Sequence, residues 1–520
     1  MKILGINTGH DGHVCLIENG ELVCSYESEK NSGNRYAPLS LSSAIFHAIQ
    51  NIEDLDAIAV SGWAEGMDPR NPPTEGGYLG LNVEQITRNF GKKNIAWINC
   101  SHEISHIVSS YALSPYADKK ACYVLLWEGF IGNFYKINPD MTIQTIGSIM
   151  QGPGLRYAFA YGLADPTFNL KKGYCRLGDA GKMMALAAFG ENGEPDAFES
   201  NVIDYIINCE SAIDTLNKLD LKDSGYYNIG VNTAKFCSLA KKLSDKIFSK
   251  FYDFVSANIA ERLPLLIAGG CGLNCEWNKK FENSGLFEGV FIPPCTNDTG
   301  VGIGASAIAQ NLLTGKTKLE WSVYSGQPFL FDQVEKSSFL PSPLVLEHIC
   351  EALLAGEIVC WVQGNCEIGP RALGNRSIIA APFSVDTTER LNFIKNREHY
   401  RPVAPICIEE DAKLYFENCT QSKFMLSFYH VIDERLKAIT HVDGTARVQT
   451  ISPQDNIAMY KLLLEFKKQS GVSVLCNTSL NFKGKGFINA FSDLELFCNA
   501  NNISRFVVGN VMYQAKGVEQ

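Results

Sequence analysis

Lys2-Ile3-Leu4-Gly5-Ile6-Asn7, Val14-Cys15-Leu16-Ile17-Glu18, Asn19-Gly20 and Glu21-Leu22-Val23-Cys24-Ser25-Tyr26 open the chain. The first run reads as a strand. Asn-Gly between two apolar runs is the strongest short-range hairpin signal, because both turn residues must take positive φ. Further on, Ala57-Ile58-Ala59-Val60 and Asn94-Ile95-Ala96-Trp97-Ile98 read as buried strands, Ser101 to Leu113 as a helix capped by Ser101, and Ala121 to Trp127 as another strand. A second set begins at Leu265-Leu266-Ile267-Ala268, which runs into Gly269-Gly270 and a helix starting near Asn274. A short strand from Gly289 to Ile292 and a small-residue helix from Gly300 to about Leu313 complete it. Strands alternating with helices in two groups predict an α/β domain over residues 1–335, open to being a duplicated one. Ser337-Ser338-Phe339-Leu340-Pro341-Ser342-Pro343 reads as a linker spanning 336–344. Residues 345–520 read as a second α/β domain, with strands near Ile358–Val362 and Val472–Cys476.

The 520 residues are 46% hydrophobic and 20% charged, the composition of a soluble globular enzyme. A net charge of -10 argues against a nucleic-acid-coating surface. No apolar run approaches the roughly 20 residues that span a bilayer, and the first residues do not read as a signal peptide. The 17 cysteines are odd in number and show no paired spacing, so they are expected to be reduced and mostly to fill cores. The expectation is a cytoplasmic protein, monomer or homodimer, without nucleic-acid or membrane partners.

His102-Glu103-Ile104-Ser105-His106 matches H-E-x-x-H. Helical spacing puts both imidazoles on one face, where they can share a metal or be packed and hydrogen-bonded. The protease form of this motif needs a further ligand, but Ser109 and Ala112 stand where the extended version has Gly and His. Glu128, after a strand, and Asp298, before a helix, are candidates to join them, giving a set suited to iron, manganese or zinc. Asp298 also reads as a plain N-cap. His10 beside Asp11 has the make-up of a general base. Gly300-Val301-Gly302-Ile303-Gly304 lacks dinucleotide spacing. The second domain carries Arg371, Arg376, Lys395, Arg397, Arg401 and Arg447 near Gly and Pro, a set that suits a phosphorylated small molecule or surface ion pairs.

Several separated motifs resemble one family. They are Gly9-His10-Asp11-Gly12, the His102/His106 pair, Asp179-Ala180-Gly181-Lys182-Met183-Met184, Ala268-Gly269-Gly270-Cys271-Gly272-Leu273-Asn274 and Asn297-Asp298-Thr299-Gly300. The second half adds Gly369-Pro370-Arg371-Ala372-Leu373-Gly374-Asn375-Arg376-Ser377, Lys395 to Pro405, His441 to Arg447, and Cys476-Asn477-Thr478-Ser479. Together they resemble the O-carbamoyltransferases of the nodulation, tobramycin and cephamycin group, and Glu27 to Tyr36 is closer to the cephem-type branch.

The resemblance implies a duplicated actin-like (ASKHA) domain followed by a YrdC-like α/β domain. It implies that carbamoyl phosphate and ATP, with Mg2+, give carbamoyl-adenylate in the second domain. The first domain then passes the carbamoyl group to a hydroxyl of a small natural product, as in antibiotic biosynthesis, and releases AMP. Carried over, His102, His106, Glu128 and Asp298 hold a divalent metal, iron(II) first and manganese or zinc otherwise; the family usually has Asp at the position of Glu128. His10 with Asp11 and Lys30 acts in catalysis. Asp179, Lys182, Gly270 and Asn274 meet the adenylate. Arg371, Arg376, Lys395, Arg401, His441, Arg447 and Asn477 bind carbamoyl phosphate and ATP. The two sites are expected to face a shared chamber. A tRNA threonylcarbamoyl enzyme is the alternative, disfavoured by the acidic charge.

Overall fold

The computed structural model describes residues 1–39, 54–63, 76–90, 93–169 and 171–516. The chain forms two compact units, one of Met1–Leu113 with Asp298–Gln520, the other of Ser114–Asn297.

In the first unit, β1 (Lys2–Asn7), β2 (His13–Glu18), β3 (Glu21–Glu27), β4 (Ala57–Ser61), β5 (Val83–Phe90) and β6 (Lys93–Cys100) form a sheet ordered β3-β2-β1-β4-β6-β5. Asn19 at φ 51° and Gly20 at φ 90° make the expected two-residue turn between β2 and β3. Helices α1 (His102–Leu113) and α2 (Val301–Thr314) pack against each other, and a Cβ at Gly304 would be driven into the Ser105 carbonyl. Gly5 of β1 likewise meets Gly302 and Ser306 of α2, so small residues set how closely these layers approach.

The second unit holds β7 (Cys122–Trp127), β8 (Gly132–Ile137), β9 (Ile143–Ser148), β10 (Leu265–Ala268) and β11 (Val290–Phe291), ordered β11-β10-β7-β8-β9. This repeats the first sheet. β7, β8 and β9 form an antiparallel meander like β1, β2 and β3, while β10 and β11 add in parallel as β4 and β6 do. The duplication expected for an actin-like domain is therefore written in strand order and sense.

The rest of the first unit is built on an eight-stranded sheet. It comprises β12 (Phe339–Pro343), β13 (Val359–Val362), β14 (Arg376–Ala380), β15 (Ala404–Ile408), β18 (Gln449–Ile451), β19 (Val474–Ser479), β20 (Arg505–Val508) and β21 (Val511–Ala515). Beside it lies a ribbon of β16 (Phe428–His430) and β17 (Thr445–Arg447). Along the sheet strands, alternate residues feed two cores: Cys360, Ile378 and Cys476 enter one, Val359, Trp361, Ile379 and Leu475 the other. That is the period-two pattern of a sheet covered on both faces. All 17 cysteines are free and most are buried, as core filler should be.

Two expectations are corrected. Residues 336–344 are not a free linker, since Phe339–Pro343 is an edge strand paired antiparallel with β21. Nor does compactness divide the chain at 335, because 1–113 and 298–520 form one unit.

Candidate functional site

Asn7 ends β1 and ties together the turn that follows. Its Nδ2 donates to the carbonyls of His10 at 3.1 Å, Asp11 at 3.3 Å and Asp298 at 3.2 Å. His13, where β2 begins, makes the second tie: its Nε2 accepts the Gly302 N–H at 3.1 Å, so Nδ1 carries the hydrogen and faces the Asp11 carbonyl at 3.2 Å. Complete burial pushes this imidazole down to about 4, and it is neutral.

Held this way, His10 lies between two carboxylates, with Nδ1 3.2 Å from Asp11 and Nε2 3.3 Å from Asp298. Burial raises the Asp11 carboxyl above its ordinary range. Asp298 is also buried, but His102, His10 and His106 hold it below its ordinary value. Ser101 caps α1 through Ile104 N at 3.4 Å, which fixes the start of the helix and so the face that His102 and His106 share. Their Nε2 atoms are 3.1 Å apart and lie 3.6 Å and 3.3 Å from the Asp298 carboxylate. Tyr78 stacks on His102 at 4.5 Å, and Trp63 sets its ring edgewise to His10 at 4.7 Å and to His102 at 5.5 Å. Glu103, between the two imidazoles in sequence, accepts the Gly80 N–H at 2.7 Å.

One ligand atom from each of His102, His106 and Asp298 lies within 4.8 Å of the others, and all three residues are buried. Ligand atoms each about 2.1 Å from one ion fall roughly 3 to 3.6 Å apart in neighbouring positions. The spacing and donor chemistry fit a divalent metal.

In the second unit Glu128 follows β7 and is buried, its backbone N–H bonded to Ile131 O at 2.8 Å. Asp179 accepts from Arg176 Nε at 2.7 Å and Lys182 Nζ at 3.2 Å. Asn274 caps the next helix, accepting from Glu276 N at 3.1 Å and Trp277 N at 3.3 Å, while its Nδ2 is buried without a hydrogen-bond partner. A side chain at Gly270, four residues earlier in the same turn, would meet nothing within 4 Å, so the space before that backbone is open.

The basic residues of the eight-stranded domain divide into two kinds. Arg376 is wholly buried and donates to Asn489 Oδ1 at 2.7 Å, Gln363 O at 2.6 Å, Asn375 O at 2.9 Å and Gly364 O at 2.9 Å. Four of its N–H groups are held by protein oxygens, which leaves little of the fork for the phosphate expected there. Asn477 gives its amide to Ala372 O at 3.2 Å and Gln449 Oε1 at 3.0 Å, so it holds the 371–374 turn. Lys395 donates to Ser479 O at 2.5 Å, to Asn481 O at 2.9 Å and to Asn481 Oδ1. Burial and the charges of Arg397, Arg35 and Arg401 push it well below its ordinary value. The other kind keeps its charge available. Arg401 has one ion pair among the described residues, to Glu398 at 3.9 Å, and Arg447 Nε is buried with no hydrogen-bond partner. Burial, then Arg401 and Arg447, bring Arg397 down to about 9. His441 points Nε2 at Tyr400 O at 3.3 Å, and Arg371 is half-buried.

Lys30 is held in the segment that follows β3. Its ammonium lies 3.2 Å from Glu27, donates to Gly369 O at 2.8 Å and stands 3.8 Å over the Phe487 ring. Sequence reasoning named neither Asn7 nor His13, and gave Arg35 no role. A polar residue ending the first strand was the only hint for Asn7.

Two family models match, Carbamoyltransferase N-terminus over residues 89–307 and Carbamoyltransferase C-terminus over 350–515. A 3'-hydroxymethylcephem-O-carbamoyltransferase of Amycolatopsis lactamdurans is 43% identical over 99% of both chains, and one of Streptomyces clavuligerus is 40% identical over 99% of both. Nodulation protein U of Rhizobium fredii is 32% identical over 99% of this chain and 95% of its own. Full-length identity at this level, with carbamoyltransferase models matching both halves of the chain, identifies a transferase enzyme that belongs to the carbamoyltransferase family.

Proposed function

We propose that this O-carbamoyltransferase consumes carbamoyl phosphate and ATP, forms carbamoyl-adenylate in a YrdC-like C-terminal domain, and delivers the carbamoyl group to a primary hydroxyl of a small natural product. Water first cleaves carbamoyl phosphate to carbamate and inorganic phosphate, and a carbamate oxygen then bonds to the ATP α-phosphorus as pyrophosphate leaves. The acceptor oxygen then bonds to the carbamoyl carbon as AMP leaves. Two relatives at 43% and 40% identity are named for a 3'-hydroxymethylcephem, so a hydroxymethyl group on a cephem-like scaffold is the acceptor of choice.

The observation that carries this reading is the convergence of His10, His102, His106 and Asp298 within one buried cluster. Asp11 orients the His10 ring through Nδ1, and Nε2 takes the hydroxyl proton as the carbon–oxygen bond forms. Trp63 and Tyr78 wall the imidazoles, which limits the hydrolysis that an activated carbamoyl group invites. His102, His106 and Asp298, with Glu128 as fourth ligand, would hold a divalent ion, iron(II) ahead of manganese or zinc, which would supply positive charge for the adenylate phosphate. Asn274 and Lys182 serve the nucleotide, Asn274 through its spare amide hydrogens. Arg371, Arg401, His441 and Arg447 serve the phosphates.

The test is incubation with carbamoyl phosphate, ATP and a panel of hydroxymethyl compounds, read by mass and by AMP. A product heavier by one carbamoyl group, with matching AMP, is expected; absence of AMP with every acceptor would sink the reading. Metal analysis of purified wild type, His106→Ala and Glu128→Ala is independent of turnover. Both variants should lose bound metal, and wild-type metal content in His106→Ala would remove the ion from the proposal.

A further inference from the structure

Residues 28–37 follow β3 and run between the two groups of candidate residues in the first unit. On one side they hold the His10 turn: Ser28 N donates to Gly12 O at 2.8 Å and Gly12 N to Ala37 O at 2.9 Å. On the other side they are bonded to the 484–487 loop. Ser32 N donates to Phe487 O at 2.9 Å, Gly486 N to Gly33 O at 2.8 Å, and Arg35 N to Gly484 O at 3.1 Å. Asn34 and Lys485 form an isolated antiparallel bridge. Just upstream of that loop, Ser479 and Asn481 take the hydrogens of Lys395. A short path of hydrogen bonds therefore links the His10 turn, this strap and the arginine group.

The base of the strap is locked. Glu27 accepts the Gly369 N–H at 2.7 Å while Lys30 donates to Gly369 O at 2.8 Å, so both polar groups of one residue are gripped just before Pro370 and Arg371. Its backbone is costly to hold. Asn31, Ser32 and Tyr36 have φ of 58°, 57° and 61°, and clusters of such residues are found where function fixes a conformation.

Arg35 is the group this arrangement presents. Its side chain is 39% exposed, and its one ion pair among the described residues, to Glu29, is long at 3.7 Å. The charge is felt on both sides: it helps hold Lys395 and Arg401 below their ordinary values, and Asp11 is among the groups that raise Arg35 against the pull of burial. A guanidinium fixed at the backbone, with one long ion pair and the Tyr36 ring 5.1 Å away, whose charge reaches Lys395 and Arg401, is suited to a phosphate.

We propose that Arg35 is a phosphate ligand shared by the two steps, gripping the adenylate phosphate as it passes from the arginine group to the His10 turn. This rests on the reading of the function given above. The test uses the full chain as wild type, Arg35→Ala and Arg35→Lys, and measures both AMP released and carbamoylated acceptor formed. Arg35→Ala should yield roughly tenfold less product per AMP, on the scale of one lost charge-assisted hydrogen bond, because the intermediate escapes to water. Arg35→Lys should recover part of that ratio, since the charge returns without the fork. A wild-type ratio and wild-type KM for carbamoyl phosphate in Arg35→Ala would overturn the assignment. So would equal losses in both variants accompanied by lower melting temperatures, which is what a purely structural residue gives. Wild type that makes no AMP at all fails at the earlier step and overturns the function together with this inference.

Discussion

Acid should loosen the His10 turn through His13, a residue that touches no substrate in the proposed reaction. In the neutral ring, Nε2 accepts from Gly302 N at 3.1 Å and Nδ1–H faces Asp11 O at 3.2 Å. A second proton would point an N–H at the Gly302 N–H, inside a ring environment that is wholly buried. Burial therefore takes the group from 6.5 to about 4. The unfolded imidazole gains its proton below about 6.5, the folded one only near 4, so the unfolded state binds more protons in that window. The stabilisation is full above pH 6.5 and is lost as pH falls through the folded value. At about 1.4 kcal/mol for each tenfold, the whole window is worth roughly 3 kcal/mol. His13→Gln keeps an acceptor for Gly302 without a titrating group, at a cost of about 1 kcal/mol near neutrality for the bond to Asp11. Urea unfolding of both proteins at about pH 7 and about pH 4.5 should show wild type losing roughly 2.5 kcal/mol more than the variant. Parallel losses would refute the reasoning and place the acid sensitivity elsewhere.

Arg376→Ala should leave four buried acceptors without their donor and cost roughly 4 kcal/mol, seen as a lower melting temperature. Arg376→Lys should recover little, because one ammonium cannot span acceptors fixed around a planar fork; wild-type melting with a raised KM for carbamoyl phosphate would instead return Arg376 to the substrate. Gly304→Ala should force α1 away from α2 at Ser105, next to His106, and cost about 1 to 3 kcal/mol. Because the same movement spreads the ligand atoms, metal retention should fall with stability, and a variant unchanged in both would show that the helices yield freely.

What could be read in the sequence was what is local. The β2–β3 turn, the capped helix with His102 and His106, and the strand before Gly269 each declare themselves within a dozen or so residues. What could not be read depends on distance along the chain. Asn7 reaches Asp298 across 291 positions, and nothing near either residue announces the meeting. Arg35 stands far from Lys395 and Arg401 in the chain, so its electrostatic influence on them is a property of the fold alone. The Pro-Ser-Pro run misled for a physical reason. Proline lacks the N–H a central strand needs, but β12 is the outermost strand of its sheet, where Pro341 and Pro343 pair with Tyr513 and Val511 at little loss.

The arginine group shows where reading by residue type stops. Composition makes Arg376, Arg397, Arg401 and Arg447 equivalent, each a fork that suits phosphate. The structure separates them by what their N–H groups already hold. Arg376 spends its hydrogens on three carbonyls and one amide oxygen, so an anion would have to displace bonds made in a dry interior. Arg397 donates to Asn392 Oδ1 at 2.5 Å and weakly to Pro402 O at 3.5 Å, and Arg447 leaves a buried Nε without a partner. Lys395 is the intermediate case, its hydrogens used but its charge left among like charges. Burial disfavours the charges of Lys395, Arg397 and Arg401, and repulsion from neighbouring cations disfavours them further, bringing Arg397 down to about 9. Among the described residues the one carboxylate paired with them, Glu398, is 3.9 Å from Arg401, too distant to neutralise the group. An incoming phosphate removes both penalties at once. On the proposed function, affinity for the doubly charged donor is stored in the folded chain as unfavourable electrostatics, so the KM for carbamoyl phosphate should rise steeply when Arg397 or Arg401 is made neutral while the melting temperature rises too.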